Sequence, residues 1–243
     1  MEEAFRPGGA SNIAMTASDD RTLFSRALHA CLRMGFRRAY PRVKVDADKF
    51  LHHARRAYNL PIQSWRDIHS LDEQTLVPAA EKIIWSSSRI AALEGMGLGL
   101  GGLATMLPDM GILAAITIRM LQKLSLIYGF DYSTPEEVGG LWLAAATAAG
   151  LDFTREFAEK RALEHLVPRI VDAMAAKVGA EVAEKWAGRV FPLLSAGAAA
   201  TLNYYFVRSW GARAQKHFLE KHRAVRGQRF AERALLPATA RLS

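Results

Sequence analysis

Hydrophobic and polar positions follow a helical period along most of this 243-residue chain. Alanine and leucine fill the apolar positions, and β-branched residues never form the alternating runs that are typical of strands. The pattern predicts an all-α fold, built as a single multi-helix domain. Predicted helices cover residues 21–39, 46–58, 63–69, 71–91, 109–128 and 134–150, and a long final helix begins near Pro192.

A glycine-rich stretch from Gly95 to Gly102 divides two nearly uncharged helices and predicts a central helical hairpin, either buried or dipping into a membrane. Pro108 suits the first position of the second helix, where its missing N–H costs nothing. Gly129 is expected to end that helix, and Thr134–Pro135–Glu136–Glu137 reads as a capping box that starts the next one. The small residues predict close helix packing or an apolar groove at Gly95, Gly99 and Gly102.

Charge divides the chain into a mildly acidic centre between two basic ends, with a net charge of +8. We expect a disordered N-terminus (1–17), basic amphipathic N-terminal helices (18–58), a helical domain (60–225) and a basic C-terminal tail (226–243). Such ends are typical of contact with a polyanion, although they could simply keep an alanine-rich protein soluble. The candidate membrane-surface residues are Arg26, Arg33, Arg37, Arg223, Arg226 and Arg229.

Membrane contact is expected to be peripheral. The longest uncharged stretches are short, rich in glycine and alanine, or interrupted by Pro192 and Asn203, so a stable bilayer span is not predicted. The first twenty residues lack the apolar core of a secretory signal, which predicts a cytoplasmic protein on the inner face of the plasma membrane. One cysteine, Cys31, excludes an internal disulfide and any multi-cysteine metal site.

Motifs for catalysis or cofactor binding are weak. The stretch from Gly97 to Gly102 contains G-x-G-x-x-G, but a helix precedes it and no acidic residue lies between Asp109 and Asp131, so we do not predict a dinucleotide site. The histidines are scattered, and His217 to His222 lacks the zincin spacing. We therefore predict no cofactor and no metal, and the sequence favours a protein that is not an enzyme.

Five polar residues lie on or beside otherwise apolar helix faces: Glu94, Asp109, Arg119, Asn203 and Arg208. They could form a buried polar cluster or a ligand-binding site, because buried polar groups must be paired. The alternative is that each is satisfied alone, with Asp109 as a helix-start acid, Asn203 bonded to a neighbouring backbone and Glu94 in water.

Three stretches resemble the EcsC family, bacterial proteins named for the third gene of an ABC-transporter operon. They are Leu93–Gly95 with its following glycines and Pro108–Asp109, then Ile127–Asp131 with Pro135–Glu137, and then Ala196–Asn203 with the helix to Phe218. The resemblance spans residues 85–219. It implies a cytoplasmic, membrane-associated helical protein linked to transport or secretion, and it supplies no catalytic residues.

The sequence thus favours a non-enzymatic, peripheral membrane-associated or lipid-binding protein, an accessory to a membrane transporter or secretion system. The expected partner is an anionic membrane surface. One alternative is a hydrolase whose site is assembled from Asp109, Glu94 and Asn203. A second is a basic nucleic-acid-binding protein, which is disfavoured because aromatic residues are sparse among the arginines.

Overall fold

The computed structural model describes residues 30, 33–35, 43–98, 103–154, 168–174, 176–177, 180 and 196–235. Six helices are labelled here: α1 (Ala47–Ala57), α2 (Trp65–Ile68), α3 (Glu73–Leu98), α4 (Leu103–Ile127), α5 (Pro135–Ala148) and α6 (Ala196–Leu235). None of these described residues forms a strand, so the all-α prediction is confirmed. The predicted disordered N-terminus, Arg26, Arg37, Gly99 and Gly102 lie outside the described residues.

The core of the fold is a group of three long helices, α3, α4 and α6. The interface between α3 and α6 is the largest, α5 packs on α6, and α1 packs on α4. Glu73 at the start of α3 pairs with Arg223 late in α6, whereas Ile84 meets Gly211. Because residue numbers rise along α3 as they fall along α6, the two helices are antiparallel.

Gly211 lies where the three helices approach one another closely. A Cβ atom at this position would lie 2.7 Å from Cγ2 of Ile84 on α3 and 3.0 Å from Sδ of Met120 on α4. Ile84 and Met120 are themselves buried. The height along the bundle at which these three residues meet is called the Gly211 level below, and it serves as a common reference for the three helices.

Capping interactions and a glycine define three of the helix ends. The Thr134 hydroxyl accepts from Glu137 N at 3.3 Å, while Thr134 N donates to the Glu137 carboxylate at 2.9 Å, so the predicted capping box is present. Gly129 follows α4 with a φ of 86°, in the left-handed region that favours glycine. Asp46 caps α1 by accepting from Lys49 N at 3.0 Å.

One predicted helix start is wrong. Helix α4 begins at Leu103, so Pro108 lies inside the helix rather than at its start. The residues that precede this proline, Leu103 to Leu107, are mostly good helix formers, and one proline removes a single backbone hydrogen bond. Helix α6 continues past Arg223 to Leu235, so the segment predicted as a basic tail begins as helix.

Candidate functional site

Large apolar side chains are exposed at the end of the bundle where α3 ends and where α4 and α6 begin. We call them the apical surface: Ile90 (50% exposed), Leu93 (59%), Met96 (42%), Ile112 (39%) and Tyr205 (65%). They lie six to twelve residues from the Gly211 level on their own helices, which corresponds to about 9–18 Å at 1.5 Å per residue. Three helices therefore present apolar surface to solvent at one end of the molecule.

Charged side chains are sparse at the apical surface. Glu94 is exposed beside Leu93. Nearer the Gly211 level, each of the three helices carries one exposed arginine: Arg89 on α3, Arg119 on α4 and Arg208 on α6. The guanidinium of Arg89 stacks over the exposed Trp85 ring, with Cζ 4.5 Å from the ring centroid. The apolar end is thus bordered by basic and aromatic residues.

The five polar residues proposed as a buried cluster do not share one environment. Asn203 is buried, whereas Glu94, Arg119 and Arg208 are exposed, so these three do not belong to a buried cluster. The reason is helical phase: Ile118 and Met120 are buried, which turns Arg119 away from the core. Asp109 lies on α4, and its side chain is outside the description. Ligand binding by these residues stays a prediction.

Of the three glycines predicted to pack closely, the structure describes Gly95. Gly95 is buried near the end of α3. A Cβ added at Gly129 or at Gly211 would lie 2.7 Å from a neighbouring side chain, and the close packing at Gly211 was not predicted. A glycine inside a strongly helical pattern is a signal for close packing, and Gly211 carries it.

Of the arginines predicted to face a membrane, the three on α6 do not lie at the apical surface. Arg33 lies 3.8 Å from the Asp172 carboxylate, and Arg223 donates from two nitrogens to the Glu73 carboxylate. Arg226 is half-buried over the Phe230 ring, and Arg229 is exposed. Arg223 to Arg229 lie 12 to 18 residues beyond Gly211 on the far side, so at least about 27 Å of helix separates them from the apical surface.

A cluster of aromatic rings occupies the opposite end of the bundle. The His69 and His222 rings are stacked with centroids 5.7 Å apart, and the His69 ring meets Phe130 edge-on at 5.6 Å. Phe130 in turn stacks on Phe218 at 6.3 Å. We call these four residues, with Tyr128, the histidine cluster. It joins the α2–α3 connection, the end of α4 and the second half of α6.

His222 is fully buried, and both of its ring nitrogens face backbone carbonyls. Nδ1 lies 3.1 Å from the Tyr128 oxygen, and Nε2 lies 3.2 Å from the Leu71 oxygen. A carbonyl only accepts, so a ring N–H of His222 can donate to either oxygen. Since both nitrogens are engaged, His222 serves as a structural link rather than a catalytic base.

Burial and nearby charges shift the pKa values of His69 and Tyr128 in this cluster. Burial, and then the positive charges of Arg229, His222 and Lys221, lower the pKa of His69. Burial raises the pKa of Tyr128 to about 12, an effect that the Gln215 side chain partly offsets. Within the described part of the chain, no group of three histidine, cysteine, aspartate or glutamate side chains is arranged to hold a metal ion.

Comparison with known proteins gives one family and one curated relative. The sequence model of the EcsC protein family matches residues 41–221. This range includes the apical surface and every member of the histidine cluster except His222. Protein EcsC of Bacillus subtilis (strain 168) is 41% identical over 58 residues, covering 24% of this chain and 25% of that protein. The alignment thus spans about a quarter of the relative's length. No solved structure matches the chain.

Proposed function

We propose that this chain, which belongs to the EcsC protein family, is a non-enzymatic, peripheral membrane protein that contacts lipid through its apical surface. The family resemblance read from the sequence is confirmed. The contact would be made on the cytoplasmic face of the plasma membrane. The accessory role toward a transporter that the resemblance implies stays a prediction.

The exposure of the apical surface is the observation that supports this proposal. Exposed large apolar side chains that gather at one end of several helices favour contact with a membrane or a partner there. Each of the five side chains is about half exposed, so each would contribute about 1 kcal/mol on leaving water, half the usual value for a full aliphatic or aromatic side chain. Together they would support reversible attachment without a spanning helix.

A shallow mode of contact fits the helices. Among the described residues, no helix combines the length and the hydropathy needed to cross a bilayer. Glu94 stands beside Leu93 at the apical surface, and an ionised carboxylate resists entry into hydrocarbon. The apical surface would therefore rest among the lipid headgroups and upper acyl chains.

Vesicle flotation of the purified chain tests the proposal. We expect the wild type to float with phosphatidylcholine vesicles at high salt, because the apolar contribution is not screened. The triple variant Leu93→Gln/Ile112→Gln/Tyr205→Gln is expected to lose about two orders of magnitude in vesicle affinity, from about 1 kcal/mol per side chain. Far-UV circular dichroism checks that it remains folded.

A matched control is offered by Phe230, which is exposed on α6 but lies at the other end of the bundle. Phe230→Gln removes a similar apolar area and is expected to float like the wild type. The proposal is overturned if the wild type does not float with any vesicle, or if the folded triple variant floats as well as Phe230→Gln.

A further inference from the structure

We infer that Arg89, Arg119 and Arg208 form a belt that binds the phosphates of anionic phospholipids and holds the bundle end-on to the bilayer. This inference rests on the proposed function and names its lipid class and orientation. It assigns the electrostatic contact to residues that differ from the six arginines indicated by the sequence.

The heights of these arginines are the first observation. Arg119 lies one residue from Met120, Arg208 three residues from Gly211, and Arg89 five residues from Ile84. At 1.5 Å per residue, all three lie within about 8 Å of the Gly211 level, on the apical side of it. The apical surface begins at about 9 Å. On each of the three helices, the arginine therefore lies between the Gly211 level and the exposed apolar side chains of the apical surface.

The availability of the three charges is the second observation. Within the described part of the chain, none of the three arginines has a carboxylate at salt-bridge distance, and each is exposed. Burial is the main cause that lowers the pKa of Lys123, and the positive charge of Arg119 lowers it further. By contrast, Arg223 is neutralised by Glu73, and Arg33 lies beside Asp172.

The surrounding chemistry matches a lipid interface. Guanidinium groups bind phosphate oxygens bidentately, and their aliphatic stems can lie along apolar surface. Trp85 under Arg89 and Tyr205 beyond Arg208 are the aromatic types that are enriched at headgroup depth. No acidic residue occurs between Ala196 and Leu219 on α6 or between Met110 and Phe130 on and after α4, so these stretches carry no negative charge that an anionic surface would repel.

The test compares two double variants that remove the same charge. Arg89→Gln/Arg208→Gln removes belt residues, and Lys216→Gln/Arg229→Gln removes exposed basic residues that lie below the Gly211 level on α6. Vesicle affinity is measured for phosphatidylglycerol-containing and for pure phosphatidylcholine vesicles. A basic residue near an anionic surface contributes about 1 kcal/mol, or about fivefold. The belt variant should therefore lose about 25-fold on anionic vesicles and keep its affinity for phosphatidylcholine.

The control variant should bind anionic vesicles within about twofold of the wild type, because Lys216 and Arg229 lie about 12 Å and about 32 Å beyond Arg208 along α6, and both distances exceed the screening length of about 8 Å. Glu94→Gln should bind them about fivefold more tightly, since it removes a repelled charge from the contact. Equal losses in the two double variants, or no loss in the belt variant while the wild type still floats, would overturn the belt and leave the proposed function standing. Absence of flotation by the wild type would instead overturn the proposed function.

Discussion

Replacing Gly211 by alanine tests the close approach of α3, α4 and α6 on which the Gly211 level depends. The new Cβ would lie 2.7 and 2.8 Å from the two Cγ atoms of Ile84 and 3.0 Å from Met120 Sδ. Ile84 is 3% exposed and Met120 is fully buried, so neither can move into solvent. Overpacking of this kind typically costs about 1–3 kcal/mol.

Helix propensity works in the opposite direction, because alanine is about 0.5–1 kcal/mol better than glycine inside a helix. Gly227 provides the matched control: it lies on the same helix, is exposed, and has no atom within 4 Å of its added Cβ. Gly227→Ala should therefore stabilise the protein by about 0.5–1 kcal/mol. The difference between the two variants isolates the packing cost.

Chemical and thermal denaturation followed by far-UV circular dichroism provide the measurement. A difference of about 1–3 kcal/mol corresponds to a separation of about 2–12 °C in Tm for a protein of this size. If Gly211→Ala stabilises the protein as much as Gly227→Ala does, the three helices do not meet at this glycine. The heights assigned to the arginine belt would then fail with it.

Three further predictions concern the histidine cluster. Gly129→Ala should destabilise the protein by about 2 kcal/mol or more, because φ is 86° and the new Cβ would lie 2.7 Å from the His69 ring; Gly111→Ala, which has open space around it, is the control. Stability should fall as the pH drops below 6.5, because unfolded His69 takes up a proton near that pH while its folded pKa is lower, so the unfolded state binds more protons. His69→Phe should reduce this acid sensitivity in pH-dependent urea titrations, and an unchanged slope would contradict the assignment. In ultraviolet titration, Tyr128 should ionise only near pH 12 or on unfolding, and Tyr128→Phe should remove this late step.

Features set by nearby residues could be predicted from the sequence. The capping box at Thr134 and the glycine stop at Gly129 depend on groups within a few positions of one another, so the residue types almost determine the geometry. The extent of α1 and the helical class follow in the same way. The predicted start of α4 was wrong because the sequence around Pro108 is compatible with two structures. A proline can occupy the first position of a helix or lie inside one, and the two cases differ only in whether the preceding residues are helical.

Features set by tertiary contact could not be predicted in this way. His222 bonds to the carbonyl of Leu71 across 151 positions of the chain, and no local pattern links them. The stacked His69 and His222 rings, like the contact of Gly211 with Ile84, exist because antiparallel helices bring distant residues to one height. The sequence offered only indirect signals, such as a glycine inside a helical pattern.

The same distinction changes how the charge of this protein is understood. Counted along the chain, arginines gather at two ends, and the glycine-rich hairpin in the middle looks like their partner in membrane binding. In space, Arg223 to Arg229 and the apical surface are separated by at least about 27 Å, more than three screening lengths at physiological ionic strength. An end-on contact would therefore draw almost none of its salt dependence from them. It would depend on Arg89, Arg119 and Arg208, which are isolated in sequence and become a group only because α3, α4 and α6 cross at Gly211.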